Sequence, residues 1–410
     1  MKLKLLDKPA NNKCIFPSHL RYRPLTIFVL RQNRFPIMTP PEHIASLTRL
    51  LGLVRYLPSP ENSQPWEIVV RGLTMEVFHH GERDRIGEFP DDLAVVGIGM
   101  MAEAIDLAAS TEGYASHAEY FLVNRNDSQP WLRATLQYDG RAAAPLSAGL
   151  GLRHSDRRRF AGGNLADPVF QEVREDAAGI SCASLYLSNQ YSWEFLQQSR
   201  WGDEWLFQIP EVRQDFMRWV RFTDKAMQNS RDGLPWRSFL RYPQRRYHWL
   251  QSRLWWLGIA LDWFPAWMMR LEEFLFDDSG NPSPKHYDDG ACVGCVTVAS
   301  GQAQDLAAAG RLALRAWLLL NLRGYGFQIM TNLTSIVYTL HQGHLRYAAV
   351  IPELARGCAV LQRMFGFTSA ELPIICFRAG LPIAPYPDNA RSLRREHLVR
   401  FDNTTTGAKV

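Results

Sequence analysis

Apolar and polar positions first organise at residues 41–57, PEHIASLTRLLGLVRYL, where hydrophobic side chains recur at helical spacing behind a proline suited to the first turn. Pro58 closes that helix. Residues 66–80, WEIVVRGLTMEVFHH, alternate as two short strands around Arg71-Gly72, the pattern of a hairpin. Residues 93–110, LAVVGIGMMAEAIDLAAS, are apolar nearly all round, which predicts a buried helix. Gly97 and Gly99 inside it each cost about 1 kcal/mol relative to Ala, so a second backbone is expected to pack closely there. After Gly113-Tyr114, AEYFLV and RATLQYD read as strands.

The second half repeats this plan loosely. Residues 301–326 again predict a long, mostly apolar helix that leaves through Gly324-Tyr325, and LPIICFRAG near the end predicts a strand. Two buried helices with like exits suggest an internal duplication. Around this plan lie two unusual segments. Residues 1–40 are basic, with Lys2, Lys4, Lys8, Lys13, Arg21, Arg23, Arg31 and Arg34 against Asp7, and are expected to be a solvated tail or strap. An insertion at 193–276, extending to about 290, holds ten of the thirteen tryptophans. In it Arg237, Arg241 and Arg245 recur every four residues, joined by Arg246 and Arg253, and no acid separates Asp232 from Asp262. It reads as helical, broken by Pro243 and Pro265, and as a lid, added core or a membrane-surface element, in that order.

Composition narrows the class. A chain of 410 residues with 46% hydrophobic and 21% charged residues is globular, which excludes a disordered or disulfide-framed small protein. A net charge of +5 is too mild to imply nucleic acid. Six cysteines, of which only Cys292 and Cys295 are close, do not form a secreted framework. No run reaches the roughly 18 uninterrupted apolar residues of a spanning helix. A cytoplasmic protein is expected.

The sharpest chemical signal is Pro58-Ser59-Pro60-Glu61-Asn62-Ser63-Gln64-Pro65-Trp66. Three prolines stiffen this loop while Ser59, Asn62, Ser63 and Gln64 offer donors and acceptors to a planar, polar-edged partner. The loop resembles the P-S-x-x-N-x-Q-P-W signature of the nitroreductase family, flavoenzymes that bind FMN between two protomers. By that resemblance Ser59, Asn62 and Gln64 are flavin neighbours. The family's phosphate-gripping R-x-S-x-R run is similar to Arg153-His154-Ser155-Asp156-Arg157 at the head of the second half, where two guanidiniums flank a hydroxyl. Residues 372–399 resemble the family's last strand and basic tail, which implies Arg391 as a further phosphate ligand, with Arg394 and Arg395 as alternatives; Asn389 stands where the family has Lys.

The ring loop lies in the first half and the phosphate run in the second. The chain therefore resembles the duplicated, Acg-like branch, in which two family folds in one polypeptide mimic the dimer. The implied fold is α+β, a tandem pseudo-dimer of 41–150 and 151–410 with a helical Trp-rich insertion. Residues 173–189, VREDAAGISCASLYLSN, carry no second ring loop, so one FMN per chain is expected. The implied function is an FMN-dependent oxidoreductase passing hydride through flavin N5 to or from a hydrophobic or peptide-derived small molecule, with NAD(P)H as an optional co-substrate. The alternative is a non-enzymatic protein that sequesters FMN. No side chain is named as a catalytic acid or base. The chain is expected as a monomer acting as an intramolecular dimer, or as a further homodimer. Cys292-Val293-Gly294-Cys295 reads as packed thiols, not a metal half-site; His341 with His344, and His79 with His80, read as surface residues; Gly97-x-Gly99 is not a dinucleotide fingerprint.

Overall fold

The computed structural model describes residues 40–84, 92–123, 125–126, 128–208, 218–221, 224–235, 289–343, 351–386, 394–395 and 398–402. The basic extension before residue 40, the arginine ladder and aromatic run at 236–288, and Arg391 lie outside them.

Helix α1 (Pro40–Val54) buries Leu47, Leu50, Leu51 and Val54, one stripe at helical spacing. Strands β1 (Trp66–Arg71) and β2 (Thr74–His79) form the expected hairpin, with Gly72 at φ +60° supplying the left-handed turn residue. Helix α2 (Asp92–Thr111) follows, then β3 (Tyr114–Tyr120) and β4 (Leu132–Tyr138). The second half comprises α3 (Asp167–Ala177), β5 (Ala183–Ser188), α4 (Trp193–Gln208), the short β6 (Val220–Arg221), α5 (Asp224–Ser230) and β7 (Leu234–Pro235), then β8 (Cys292–Val298), α6 (Ala303–Leu322), β9 (Gly326–Ile329), α7 (Asn332–His341), α8 (Ile351–Phe365), β10 (Leu372–Gly380) and β11 (Val399–Phe401).

Two sheets result. The first has the order β11-β1-β2-β4-β3, the second β5-β8-β10-β9, and all pairings in the second are antiparallel. β11 crosses the boundary at residue 150 and pairs parallel to β1, with Ile68 opposite Val399. The chain's last strand therefore completes the first sheet. β8 and β10 are buried along their whole length because both faces of their sheet are covered. Cys292, Val296 and Phe377 face the main core, whereas Val293, Cys295 and Cys376 face a second cluster with Phe195, Leu196, Leu333, Leu361 and Phe365. Phe195 and Leu196 of α4 thus belong to the core of the second half, although the sequence places them at the start of the insertion.

The two long apolar helices, α2 and α6, cross each other at the centre. A Cβ on Gly99 would lie 1.9 Å from the Ala307 carbonyl oxygen, and one on Gly310 would lie 2.0 Å from that of Val96. The glycines are reciprocal, each admitting the other helix's backbone. Gly97 meets nothing within 4 Å, so only one of the two α2 glycines has the packing role expected of both. Among the described residues α2 is the helix long and apolar enough to cross a membrane, with mean hydropathy 1.6, and fourteen of its twenty residues are buried inside the protein instead. Its one buried carboxylate, Glu103, accepts from Arg311 at 2.8 Å and Arg315 at 2.7 Å on α6. Arg315 also reaches Asp176 of α3, so the charge that α2 buries is fully paired, as burial of an ion demands.

Candidate functional site

The proline-rich loop joins α1 to β1, and its backbone is unusual. Glu61, Asn62 and Gln64 have φ of 45°, 57° and 51°. The left-handed region costs a non-glycine residue about 1–2 kcal/mol, and such conformations persist where surrounding bonds over-determine them. Here the bonds are explicit. Gln64 N–H donates to Ser59 Oγ at 3.0 Å, closing the loop on itself. Asn62 Nδ2 donates to the Gly233 carbonyl at 2.9 Å, while Gly233 N–H returns to the Asn62 carbonyl at 3.1 Å. Gln64 Nε2 donates to the Arg231 carbonyl at 3.0 Å, and its Oε1 accepts Arg395 N–H at 2.8 Å. Arg394 Nη1 donates to Asn62 Oδ1.

Two distant segments therefore clasp the loop, 231–233 on one side and 394–395 on the other. The first is anchored by Asp232, which accepts from Arg83 and Arg221, each at 2.5 Å. Burial pushes the Asp232 carboxyl up, but the two guanidiniums outweigh it and hold the group below the ordinary carboxylate range. Arg83 also donates to the Ser63 carbonyl at 3.0 Å, so one side chain ties anchor and loop together. Gly233 has no substitute at φ +75°, because a Cβ would lie 2.3 Å from the Trp219 carbonyl oxygen.

Arg153 arrives from the other half. Its N–H bonds the Gly149 carbonyl at 3.0 Å, and its guanidinium, 9% exposed, donates to the Tyr56 carbonyl through Nε at 3.1 Å and Nη2 at 2.6 Å. The group lies over the Trp317 ring, 4.5 Å from its centroid. Arg394, also buried, donates Nη2 to the same Tyr56 oxygen at 3.3 Å. Among the described residues no carboxylate reaches Arg153. Burial, and then the facing Arg394 charge, push the Arg153 pKa well below its ordinary value. Arg394 is pushed down to about 10, chiefly by burial. A guanidinium holds its charge in any protein, so Arg153 keeps a buried positive charge beside Arg394.

The remaining expected residues spread out. Ser155 is half-buried on an isolated bridge to Phe327. Arg157 is half-buried and its carbonyl accepts from Arg378 at 3.4 Å. The neighbouring Arg158 pairs with the fully buried Asp156 and with the carbonyls of Ala384 and Pro385. Of the R-x-S-x-R run, Arg153 is bonded to Tyr56, two residues before the loop. Ser59 stands beside it in the loop, its hydroxyl accepting from Gln64. Asn62 and Gln64, expected to meet a flavin edge, have their amides engaged by the chain itself. Trp317 and the segment 231–233 escape a sequence reading, because a lone core tryptophan and a short Arg-Asp-Gly turn carry no local signature.

Two further expectations change. His79 is buried, stacked on Trp131 at 4.1 Å and bonded through Nε2 to Asp84 at 2.9 Å, not a surface residue, because strand alternation turns it into the core beside Val77 and Met75. Cys292 and Cys295 lie within β8 on opposite faces of the sheet. Burial pushes the Cys292 thiol up to about 12. His341 is exposed at the end of α7, and His344 lies outside the described residues. Among the described residues no three His, Cys, Asp or Glu side chains group as a metal ion would require.

No family model and no curated protein matches the chain. Solved structures similar to it include a nitroreductase with bound FMN from Desulfitobacterium hafniense, at 12% identity over 58% of this chain and 91% of that one, TM-score 0.31. An FMN- and NADPH-dependent nitroreductase from sphigopyxis sp. strain HMH is similar at 13% identity over 62% and 95%, TM-score 0.31. Nitroreductase A from Vibrio parahaemolyticus is similar at 6% identity over 60% and 72%, TM-score 0.29. Likenesses this loose carry no functional argument.

Proposed function

We propose that the chain is an FMN-dependent oxidoreductase of nitroreductase type, built as an intramolecular pseudo-dimer with one flavin site. The observation that carries this reading is Arg153, a nine-tenths buried guanidinium with no carboxylate partner among the described residues, facing Arg394 across the Tyr56 carbonyl. That donor set fits a phosphate monoester. The two guanidiniums meet at the Tyr56 carbonyl, and an anion bound beside them would offset the repulsion between them. The loop that resembles the flavin signature begins two residues after Tyr56, so the arginines would hold the FMN phosphate while Ser59 and the loop backbone would hold its ring.

The pseudo-dimer is supported by the reciprocal crossing of α2 and α6 and by the pair of sheets on which the two halves are built. It accounts for a single site. The loop comes from the first half, Arg153 from the second, and neither half has both. Bound FMN would supply two-electron redox chemistry at its ring. The chain's own part is to hold the phosphate with Arg153 and Arg394, to fix the loop through 231–233, and to keep water from the buried side. Small, hydrophobic or peptide-derived substrates, NAD(P)H as reductant and a cytoplasmic location are part of the same proposal.

One observation favours a second reading, non-enzymatic FMN sequestration. The Asn62 and Gln64 amides are spent on the chain, so the ring edge would be recognised less than the phosphate. A visible spectrum of the purified protein, with the released flavin identified, separates the cases. A flavin bleached by NAD(P)H or by a candidate substrate supports the oxidoreductase. A flavin bleached by dithionite alone supports sequestration, and a colourless protein that takes up no FMN refutes both.

A further inference from the structure

The Asn62 amide has two ends, and the chain uses both. Nδ2 donates to the Gly233 carbonyl at 2.9 Å, which sets the flip of the amide and leaves Oδ1 on the side of Arg394, whose Nη1 it accepts. The main chain of Asn62 is pinned as well, with its carbonyl accepting from Gly233 N–H at 3.1 Å and from Gln64 Nε2 at 3.3 Å. Arg394 is then held at two points, by Asn62 Oδ1 through Nη1 and by the Tyr56 carbonyl at 3.3 Å through Nη2. A planar guanidinium fixed at two of its nitrogens has no rotational freedom left. The backbone next to it is fixed too, by Arg395 N–H donating to Gln64 Oε1 at 2.8 Å. Glu61, Asn62 and Gln64 adopt left-handed backbone to place these groups, strain that an ordinary connector would not need.

We infer that Asn62 is a positioning residue for the anion site, orienting Arg394 toward Arg153 rather than touching the flavin ring. The inference rests on the proposal that Arg153 and Arg394 hold the FMN phosphate. It changes what Asn62 selects for. A ring-edge residue contributes to FMN and riboflavin alike, whereas a residue acting through Arg394 contributes only where a phosphate is present. The geometry matters because the two guanidiniums share the Tyr56 carbonyl, so the acceptor that Asn62 offers decides which way the rest of the Arg394 fork points.

The test is titration of the full-length protein, freed of flavin, with FMN and with riboflavin. Asn62→Gly is the first variant, because glycine takes φ +57° without strain and the loop can keep its course. It is expected to weaken FMN about 10-fold or more, the value of a charge-assisted bond made imperfect, and to leave riboflavin within about twofold. Combining it with Arg394→Ala is expected to weaken FMN no further than Arg394→Ala alone. If Asn62→Gly does not fold, Asn62→Asp keeps the acceptor and adds a negative charge beside the phosphate, and should again weaken FMN selectively. Equal losses for FMN and riboflavin would overturn the positioning role and return Asn62 to the ring edge. Wild-type protein that binds both flavins equally would instead remove the phosphate site, and the inference would fall with it.

Discussion

Gly99 and Gly97 lie two residues apart on α2, and the packing predicts opposite consequences when each is replaced by Ala. At Gly97 the new methyl meets nothing within 4 Å, so the gain in helix propensity stands alone. Gly97→Ala should stabilise by up to about 1 kcal/mol. At Gly99 the methyl would be 1.9 Å from the Ala307 oxygen, about 1.5 Å short of ordinary contact, and the obstruction is backbone that cannot rotate away. Relief requires α2 and α6 to separate along a crossing whose flanks are fully buried. Overpacking of this sort costs typically 1–3 kcal/mol and more when backbone must move. After the propensity gain is subtracted, Gly99→Ala should destabilise by about 2 kcal/mol, and Gly310→Ala, 2.0 Å from the Val96 oxygen, by a similar amount. The two should be less than additive in the double variant, because one separation relieves both clashes. Chemical denaturation monitored by tryptophan fluorescence and circular dichroism measures the four variants against wild type. Gly99→Ala as stable as Gly97→Ala would refute the close crossing of α2 and α6.

Other outcomes follow from particular groups. Asp232 is held below the ordinary carboxylate value of 3.8 by Arg221 and Arg83, so its contribution is complete above that value and disappears as the pH falls through the lower folded value. Asp232→Asn should therefore lower the melting temperature near pH 7, by about 1–3 kcal/mol of stability, with the gap to wild type closing below about pH 4; a gap that widens in acid contradicts the ion pairs. Among Cys182, Cys292, Cys295, Cys358 and Cys376, iodoacetamide at pH 8 should label the exposed Cys182 first and leave Cys292 and Cys295 unmodified until the protein unfolds. Rapid labelling of Cys295, read by mass spectrometry, would mean that β8 is not buried on both faces. Gly233→Ala, which sets a methyl 2.3 Å from the Trp219 carbonyl, should loosen 231–233 and raise proteolytic cleavage there; an unchanged digestion pattern counts against the clasp.

Much of the fold was legible because it is written in local pattern. The β1–β2 hairpin, the apolar run of α2 and the nine residues of β10 are found where hydrophobic periodicity places them. The penalty of glycine in a helix pointed to a close backbone at Gly99, but the partner glycine at 310 and the idle Gly97 depend on which faces meet, and one chain's periodicity does not contain that. The return of β11 to the first sheet is non-local in the same way: three residues beside a basic tail give no sign of which edge they join. For the site, the proline-stiffened loop stood out by composition, and Arg153 through the likeness of its run to the family's R-x-S-x-R signature. What the sequence could not say is that the Asn62 and Gln64 amides turn toward Gly233, Arg231, Arg394 and Arg395. Their partners lie more than 160 residues away, and an amide's hydrogen-bonding capacity looks the same whether a ligand or the chain uses it.

Calorimetric titration with FMN and riboflavin, on wild type and on Arg153→Ala, tests the central claim most directly. One equivalent of FMN per chain is expected, bound more tightly than riboflavin. Arg153→Ala should cost about 1.5–3 kcal/mol, roughly 10- to 150-fold, for FMN alone. Two equivalents per chain, or a preference for FMN that survives the loss of Arg153, would contradict the single site formed between the two halves.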